Sequence, residues 1–194
     1  VNTTKFTYGN FIINRKKDKL SNLLEVSVID ELKNIKQDLK LISYLSYIVE
    51  ITNQILKQTY EYEELYKLFI NVVLKLNNKL NPKVICNIYE IKVLDYLGVG
   101  INFNSCTKCG STNNIVTIDG VIGGYICKNC YTNEIIYDNK TIKMLRMYYL
   151  IDVSTISSLK ISNNVIENIN LFINTYSFSK LIVIYFIFYK VFLE

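Results

Sequence analysis

The sequence predicts a mainly α-helical protein, in which a helical bundle carries a small cysteine-containing ribbon and follows a β-hairpin. Three observations lead to this fold class. Apolar residues recur at steps of three and four over most of the chain, which is the spacing of one helix face. The N-terminal residues instead form two β-rich runs separated by a charged turn. Four of the five cysteines lie within one stretch, residues 106–130.

Composition limits the chemistry available to the chain. The 194 residues contain no histidine, which removes the commonest general base, the Ser-His and Cys-His nucleophile pairs, and every histidine-ligated metal site. Half of the residues are hydrophobic, so one medium domain or two small ones can bury a core. The absence of histidine argues against an enzyme such as a zinc deaminase or hydrolase, and no catalytic residues are predicted.

The β-hairpin is predicted over residues 5–28. The runs FTYGNFII and LLEVSVI are rich in β-branched and aromatic residues, and the polar stretch NRKKDK between them suits a turn. Two strands do not form a stable sheet alone, so we expect this hairpin to pack against another part of the protein.

The hairpin region also carries most of the net positive charge. Within the first twenty residues, five cations face a single acid, Asp18. Clustered cations release counterions from a nucleic-acid backbone, which favours phosphate binding. The predicted DNA-binding residues are Lys5, Arg15, Lys16, Lys17 and Lys19. Only Tyr8 and Phe11 lie nearby in the sequence for base stacking. The alternative interpretation is a solvated turn whose charges keep an exposed hairpin soluble.

Helical spacing begins where the hairpin ends. A first helix is predicted over residues 28–58 and a second over residues 61–79, with a stripe of leucine and valine. The apolar face of the first helix consists of Val28, Leu32, Ile35, Leu39, Ile42, Leu45, Ile48 and Ile51. A third helix has clear ends: Asn81 can cap it, Pro82 occupies the first helical position, and Gly98 follows the last turn.

Two further helices, over residues 138–151 and 162–176, complete a bundle whose neighbours are joined by short links. The run LIVIYFIFYKVFL, residues 181–193, is interrupted by Lys190 and is too short to cross about 30 Å of hydrocarbon as a helix. We predict a buried helix or strand there and no membrane association, and the alternative is a short tail anchor. The N-terminal sequence lacks the form of a signal peptide, so we expect the thiols to face a reducing cytoplasm.

The cysteines occur as two Cys-x2-Cys pairs separated by seventeen residues. Each pair can direct two thiolates at one point, and two pairs supply four sulfurs at about 2.3 Å from a Zn²⁺ ion. The stretches IVTIDG and GGYIC between the pairs predict a strand, a glycine-containing turn and a second strand. The predicted zinc ligands are Cys106, Cys109, Cys127 and Cys130.

Other interpretations of these cysteines remain. Disulfides are disfavoured in a reducing compartment, and a redox dithiol needs only one pair within a βαβ unit. Iron uses similar ligands, and the cysteines could also be metal-free. With zinc, four thiolates fill the tetrahedral shell, so the site is structural and leaves no position for a reacting water. Cys86, inside the third helix, is predicted to be a small buried side chain.

The order of these parts resembles a known family. The stretch YEIKVLDYLGVGINFNSCTKCGS, residues 89–111, is similar to the RecO family of bacterial DNA repair and recombination mediators, in which a helix runs through a glycine-containing turn into the first zinc knuckle. Residues 35–51, IKQDLKLISYLSYIVEI, resemble the first helix of that family's helical domain. Residues 6–32 resemble the last strands of its N-terminal OB-fold. The resemblance covers nearly all of residues 5–176.

The resemblance implies a more specific fold. The chain is expected to be mainly α, a helical bundle carrying a four-cysteine zinc ribbon and preceded by the C-terminal hairpin remnant of an OB-fold. Residues 1–28 would be the OB-fold remnant, and residues 29–194 the helical domain, with the zinc ribbon inserted at 103–135. Because the family begins with a complete five-stranded barrel, we expect this chain to be an N-terminally truncated fragment.

The resemblance also implies a function. Members of this family bind single- and double-stranded DNA, anneal complementary strands, associate with RecR, contact single-stranded-DNA-binding protein, and help RecA to load. We therefore expect a non-enzymatic DNA repair and recombination protein of the cytoplasm, associated with the nucleoid. The alternative is a zinc-ribbon adaptor that binds only protein partners and has lost DNA binding.

Overall fold

The computed structural model describes residues 4–57 and 62–180, and its mainly α-helical character is as predicted. The elements in chain order are the strands β1 (Tyr8–Asn14) and β2 (Asn22–Asp30), the helices α1 (Lys33–Lys36), α2 (Leu39–Ile55), α3 (Tyr62–Asn77) and α4 (Pro82–Tyr96), the strands β3 (Asn102–Cys106), β4 (Ile115–Asp119) and β5 (Gly124–Cys127), and the helices α5 (Asn139–Leu150) and α6 (Asn163–Ser179). A single 3₁₀ turn, Val153–Thr155, links α5 to α6.

Helix α4 lies at the centre of the bundle. It contacts α2, α3, α5 and α6, and ten of its fifteen residues are buried. The predicted ends of this helix are confirmed. The Asn81 side chain accepts hydrogen bonds from the N–H groups of Lys83 and Val84 at 3.0 and 3.4 Å, and Gly98 ends the helix with a φ of 69°.

Replacing Asn81 by alanine is expected to lower the free energy of unfolding by about 1 kcal/mol. Two N–H groups in the first turn of α4 would lose their side-chain acceptor. Urea denaturation of the two proteins measures the difference. Asn78→Ala is the matched control, because Asn78 is exposed in the preceding turn and its loss should change stability by less than about 0.5 kcal/mol. Equal midpoints for parent and Asn81→Ala would show that the cap contributes nothing.

The predicted helix over residues 28–58 is interrupted in the structure. Val28 belongs to β2, and the helical part is divided into α1 and α2 at Asp38. The carboxylate of Asp38 accepts hydrogen bonds at 2.8 and 3.3 Å from N–H groups in the first turn of α2, so an aspartate cap replaces continuous helix. Two members of the predicted apolar face, Val28 and Leu39, are therefore 47% and 83% exposed.

The predicted hairpin is confirmed. Strands β1 and β2 are antiparallel, with Tyr8 opposite Asp30 at one end and Asn14 opposite Asn22 at the other. Among the described residues, these two strands pair only with each other. Many of their apolar side chains are exposed: Phe11, Ile12, Ile13, Leu23, Leu24, Val28 and Ile29. The hairpin thus projects from the bundle.

The hairpin joins the helices at one end only. There the Lys36 ammonium group donates hydrogen bonds to the hydroxyls of Thr4 and Thr7 at 2.8 and 3.2 Å. Asp30, the last residue of β2, accepts a hydrogen bond of 2.6 Å from the Leu32 N–H. These contacts attach the base of the hairpin to the helices, whereas the loop between β1 and β2 is exposed.

The segment between α4 and α5 forms a small sheet that we call the cysteine ribbon (residues 102–135). The strand order is β3-β5-β4, with β4 antiparallel and β3 parallel to the central strand β5. The predicted strand–turn–strand unit is confirmed as β4 and β5. Strand β3 was not predicted, because its sequence NFNSC contains no β-branched aliphatic residue.

Membrane spans were also sought among the helices of residues 4–57 and 62–180. None of them is both long enough and apolar enough to cross a bilayer. The apolar run at residues 181–193 lies outside the described residues.

Candidate metal centre and basic loop

The structure brings four cysteines to a single point. The Sγ atoms of Cys106, Cys109, Cys127 and Cys130 all lie within 4.8 Å of one another. The sulfurs of Cys109 and Cys127 are 3.6 Å apart. A tetrahedral shell with Zn–S bonds of about 2.3 Å places its sulfurs about 3.8 Å apart. The cluster therefore has the size and the donor atoms that a metal ion of this kind requires.

Local backbone hydrogen bonds shape each pair of cysteines into a tight turn, or knuckle. In the first knuckle, the Gly110 N–H donates to the Cys106 carbonyl at 2.8 Å, and Gly110 has a φ of 74°, which glycine adopts without strain. In the second, the N–H groups of Cys130 and Tyr131 both donate to the Cys127 carbonyl at 3.0 Å. The short spacing within each pair is therefore enough to align its two thiols.

Two of the thiols, Cys106 and Cys130, have shifted pKa values. Burial raises the pKa of Cys106, but N–H groups of Cys127, Lys108 and Cys109 donate to its sulfur, and the net effect lowers that pKa to about 6. A hydrogen bond with the Cys109 side chain, together with burial, raises the pKa of Cys130 to about 12. A metal ion bound by all four sulfurs requires each thiol to lose its proton, so metal binding to this cluster releases protons.

Exposure divides the ligands into two sets. Cys106 and Cys127 are 1% and 2% exposed, whereas Cys109 is exposed and Cys130 is half-buried. One ligand of each knuckle therefore faces the protein and the other faces solvent. The fifth cysteine, Cys86, is buried within α4 as predicted, and lies apart from the cluster.

The cysteine ribbon is fixed to the helical bundle by close packing against α6. Gly123 has a φ of 84°, and a Cβ at this position would lie 2.1 Å from a ring carbon of Tyr176. The Tyr176 hydroxyl donates a hydrogen bond of 2.8 Å to the Val99 carbonyl. Ile118 of β4 has no exposed surface and belongs to the same core as the helices. The position of the cysteines relative to the bundle is therefore defined.

Four of the five predicted DNA-binding cations lie together in the loop between β1 and β2, which we call the basic loop (residues 15–21). Arg15, Lys16, Lys17 and Lys19 are all exposed. The ion pairs found in the described part of the chain involve none of them. Lys5 is also exposed but precedes β1, so a seven-residue strand of about 23 Å separates it from the basic loop.

One polar contact in the ribbon has no counterpart in the sequence prediction. The Lys108 ammonium group lies 2.5 Å from a carboxylate oxygen of Glu134. Hydrogen bonds from Lys108 and from the Thr132 backbone lower the pKa of Glu134 to about 2. Lys108 belongs to the first knuckle and Glu134 follows the second. The two residues are 26 positions apart in the sequence, and only the position of a lysine inside a knuckle could have suggested the pair.

Comparison with known protein families places most of this structure in one group. A family model described as the recombination protein O C terminal region matches residues 36–177. The match covers about three quarters of the chain. It includes both knuckles of the cysteine ribbon and the helices from α2 into α6.

Curated relatives agree with this match. A DNA repair protein RecO from Ligilactobacillus salivarius is 27% identical over 176 residues, which cover 87% of this chain and 67% of that protein. RecO proteins from Halalkalibacterium halodurans and Bacillus velezensis are each 25% identical, over 162 and 174 residues that cover 82% and 88% of this chain. The chain spans 63% and 68% of the length of those two relatives, or about two thirds.

Proposed function

The chain belongs to the RecO family of DNA repair proteins, and from this membership we propose that it acts as a non-enzymatic mediator of homologous recombination. In this role it binds single- and double-stranded DNA, anneals complementary strands and assists RecA loading together with RecR and single-stranded-DNA-binding protein. The observation that carries the proposal is the family match over residues 36–177, which contains the whole cysteine ribbon and most of the helical bundle.

We also propose a division of the chain by domain. Residues 1–28 correspond to the last hairpin of an OB-fold, and residues 29–194 form the helical domain with a zinc ribbon inserted at 103–135. The exposed apolar side chains of β1 and β2 support the first part, because strands of a barrel bury one face against other strands. The continuous core that joins the helices to Ile118 and Phe103 supports the second.

The metal proposed for the four cysteines is zinc in a structural role. Four sulfur ligands complete its tetrahedral shell, so the ion supplies folding energy to the ribbon and no position for a reacting water. This assignment is consistent with a mediator that works by binding DNA and proteins rather than by chemistry.

The basic loop is the proposed DNA contact of the described residues. Its four exposed cations are free of ion pairs with described acidic groups, so their charge is available to phosphates. Lys5 would contact the backbone separately, at the other end of the hairpin. Contacts of this kind do not read sequence, since they reach only the sugar-phosphate chain.

Replacing Arg15, Lys16, Lys17 and Lys19 by serine is expected to weaken binding to a single-stranded oligonucleotide at least tenfold at low salt. The slope of log affinity against log salt should fall by about 3, because each lost phosphate contact removes about 0.7 from it for a single strand. Fluorescence anisotropy at several salt concentrations measures both quantities. A matched control removes the same charge from exposed lysines elsewhere: Lys40, Lys79, Lys128 and Lys160.

The control should keep most of the affinity and of the salt slope. Equal losses in the two variants would mean that only net charge matters, and unchanged binding in the basic-loop variant would identify the loop as a solvated turn. Absence of DNA binding by the parent protein would favour the second candidate function, a zinc-ribbon adaptor for protein partners. An apolar groove lined by Val49 of α2, Leu56 just after α2 and Phe69 of α3 is the observation that favours such a partner.

A further inference from the structure

We propose that Lys108 and Glu134 form a brace that holds the two knuckles of the cysteine ribbon together and slows release of the bound metal. The proposal rests on the metal centre proposed above and goes beyond it, because it assigns a role to two residues that are not ligands. The brace is a positioning device: neither side chain is among the candidate ligands, and both act through the geometry of the cysteines.

Lys108 connects the first knuckle to the second. Its side chain begins between Cys106 and Cys109 and crosses to the other knuckle, where the ammonium group donates to the Cys130 carbonyl at 3.2 Å. The same ammonium group donates to a Glu134 carboxylate oxygen at 2.5 Å. One side chain thus bonds to the backbone of a ligand in the opposite knuckle and to an acid four residues beyond it.

Local hydrogen bonds fix the Glu134 carboxylate independently of Lys108. One carboxylate oxygen accepts hydrogen bonds from the N–H groups of Thr132 and Asn133 at 2.8 and 3.2 Å. The other oxygen accepts one from the Thr132 hydroxyl at 3.0 Å. The acid is therefore fixed to the turn that follows Cys130, so little conformational entropy remains to be lost when the ion pair forms.

The pair is less exposed to water than the other ion pairs of the described residues, although Lys108 itself lies at the surface. The side chains of Lys108 and Glu134 are 31% and 8% exposed, whereas those of the other ion pairs in the described ranges are between 54% and 82% exposed. Exposed pairs contribute little to stability because water and salt screen them. This lower exposure, together with the hydrogen bonds that fix Glu134, makes Lys108–Glu134 the strongest candidate among them for a structural contribution.

Metal release requires the knuckles to separate. Cys109 and Cys130 are the ligands that face solvent, one in each knuckle, so a chelator reaches the ion from their side. The brace spans this same side, since it joins the residue before Cys109 to the carbonyl of Cys130. Opening the site therefore breaks the brace first, and loss of the brace should increase the release rate.

The charge of Lys108 could act without any brace, because a dication with four thiolates has a net charge of −2 that a nearby cation stabilises. Lys128 separates the two explanations. It is an exposed lysine inside the second knuckle, and in the described structure its ammonium group has no hydrogen bond or ion pair. Removing Lys128 changes the charge beside the sulfurs and leaves the brace intact.

The test is the rate at which the zinc-loaded full chain transfers Zn²⁺ to an excess of the chromogenic chelator 4-(2-pyridylazo)resorcinol at neutral pH. Lys108→Gln and Glu134→Gln should each release zinc about 10 to 100 times faster than the parent, the usual cost of losing a partner of the ligand shell. The double variant should be no faster than the faster single variant. Lys128→Gln should stay within about twofold of the parent.

Lys108→Arg is the control for misfolding of the other variants. Arginine can form the same ion pair, so the rate of zinc release should be close to that of the parent. Equal release rates in parent, Lys108→Gln and Glu134→Gln would overturn the brace, as would equal acceleration by Lys108→Gln and Lys128→Gln. The zinc content of the parent is measured first and decides the metal centre itself. A parent without zinc overturns both proposals, whereas a zinc-loaded parent with unaffected variants overturns the brace alone.

Discussion

The protein with Cys127 and Cys130 both replaced by alanine is expected to purify with essentially no zinc, whereas the parent carries about one zinc per chain. The remaining pair supplies two sulfurs, and two ligands do not retain a structural zinc. Structural zinc sites release roughly 10 kcal/mol or more of binding free energy, most of which orders the chain around the ion. Metal analysis of protein prepared without added zinc measures the difference.

Loss of the ion should affect the two parts of the chain unequally. The knuckles depend on the sulfurs, so amide protons of the turns after Cys106 and Cys127 should exchange rapidly in the variant. The helices have their own core, which includes Ile48, Leu65 and Ile88 with no exposed surface, and most of the far-ultraviolet helical signal should remain. Disappearance of the whole helical signal would instead make the metal essential to the bundle.

Cys86→Ala is the matched control for this experiment. It removes one thiol from α4, where Cys86 is 2% exposed, and leaves all four candidate ligands in place. The control should keep its zinc and lose only the packing energy of a small buried side chain. Zinc retained by the Cys127 and Cys130 double variant, or lost from Cys86→Ala, would contradict the assigned ligand set.

Replacing Phe172 by alanine is expected to lower the free energy of unfolding by about 3 to 5 kcal/mol, the usual range for a buried phenylalanine. The Phe172 side chain has no exposed surface. Its ring packs edge-on against Tyr137 at 6.2 Å and stacks on Tyr176, also at 6.2 Å. Because Tyr176 contacts the cysteine ribbon at Gly123, the cavity should loosen the junction between ribbon and bundle.

Leu171→Ala is the control for Phe172→Ala. Leu171 is next to Phe172 in α6 and is 47% exposed. Its replacement by alanine should therefore change the free energy of unfolding by less than about 1 kcal/mol. Chemical denaturation followed by circular dichroism compares the three proteins. A loss below about 1 kcal/mol for Phe172→Ala would show that this aromatic contact is not part of the cooperative core.

The helix ends that were predicted correctly are those set by neighbouring residues. Asn81 and Pro82 act on the N–H groups of the turn they begin, and Gly98 adopts a backbone conformation that other residues avoid. Such signals are complete within a few positions of the sequence. The knuckles belong to the same class, because two residues between cysteines are enough to align their sulfurs.

The parts that sequence reasoning missed depend on competition or on distant partners. The spacing of apolar residues predicted one continuous helix through Asp38. That spacing contains no information on whether the Asp38 carboxylate caps a new helix instead of lying within the old one. Strand β3 forms because β5 offers it a partner, although its own sequence favours no strand. The Lys108–Glu134 pair exists only after the ribbon has brought the two knuckles together, and no local pattern describes that event.

The insertion of the cysteine ribbon between α4 and α5 has a kinetic consequence. Helix α4 contacts both α5 and α6, so those contacts form only after the chain between residues 97 and 138 has closed into a loop of about 40 residues. A metal that ties Cys106 to Cys130 shortens the effective loop by more than half. Each halving of the loop length lowers the entropic free-energy cost of loop closure by only about 0.6 kcal/mol. This corresponds to a roughly threefold faster closure of the loop. A metal bound by these cysteines would therefore change how firmly the ribbon is held far more than how quickly the two halves of the bundle meet.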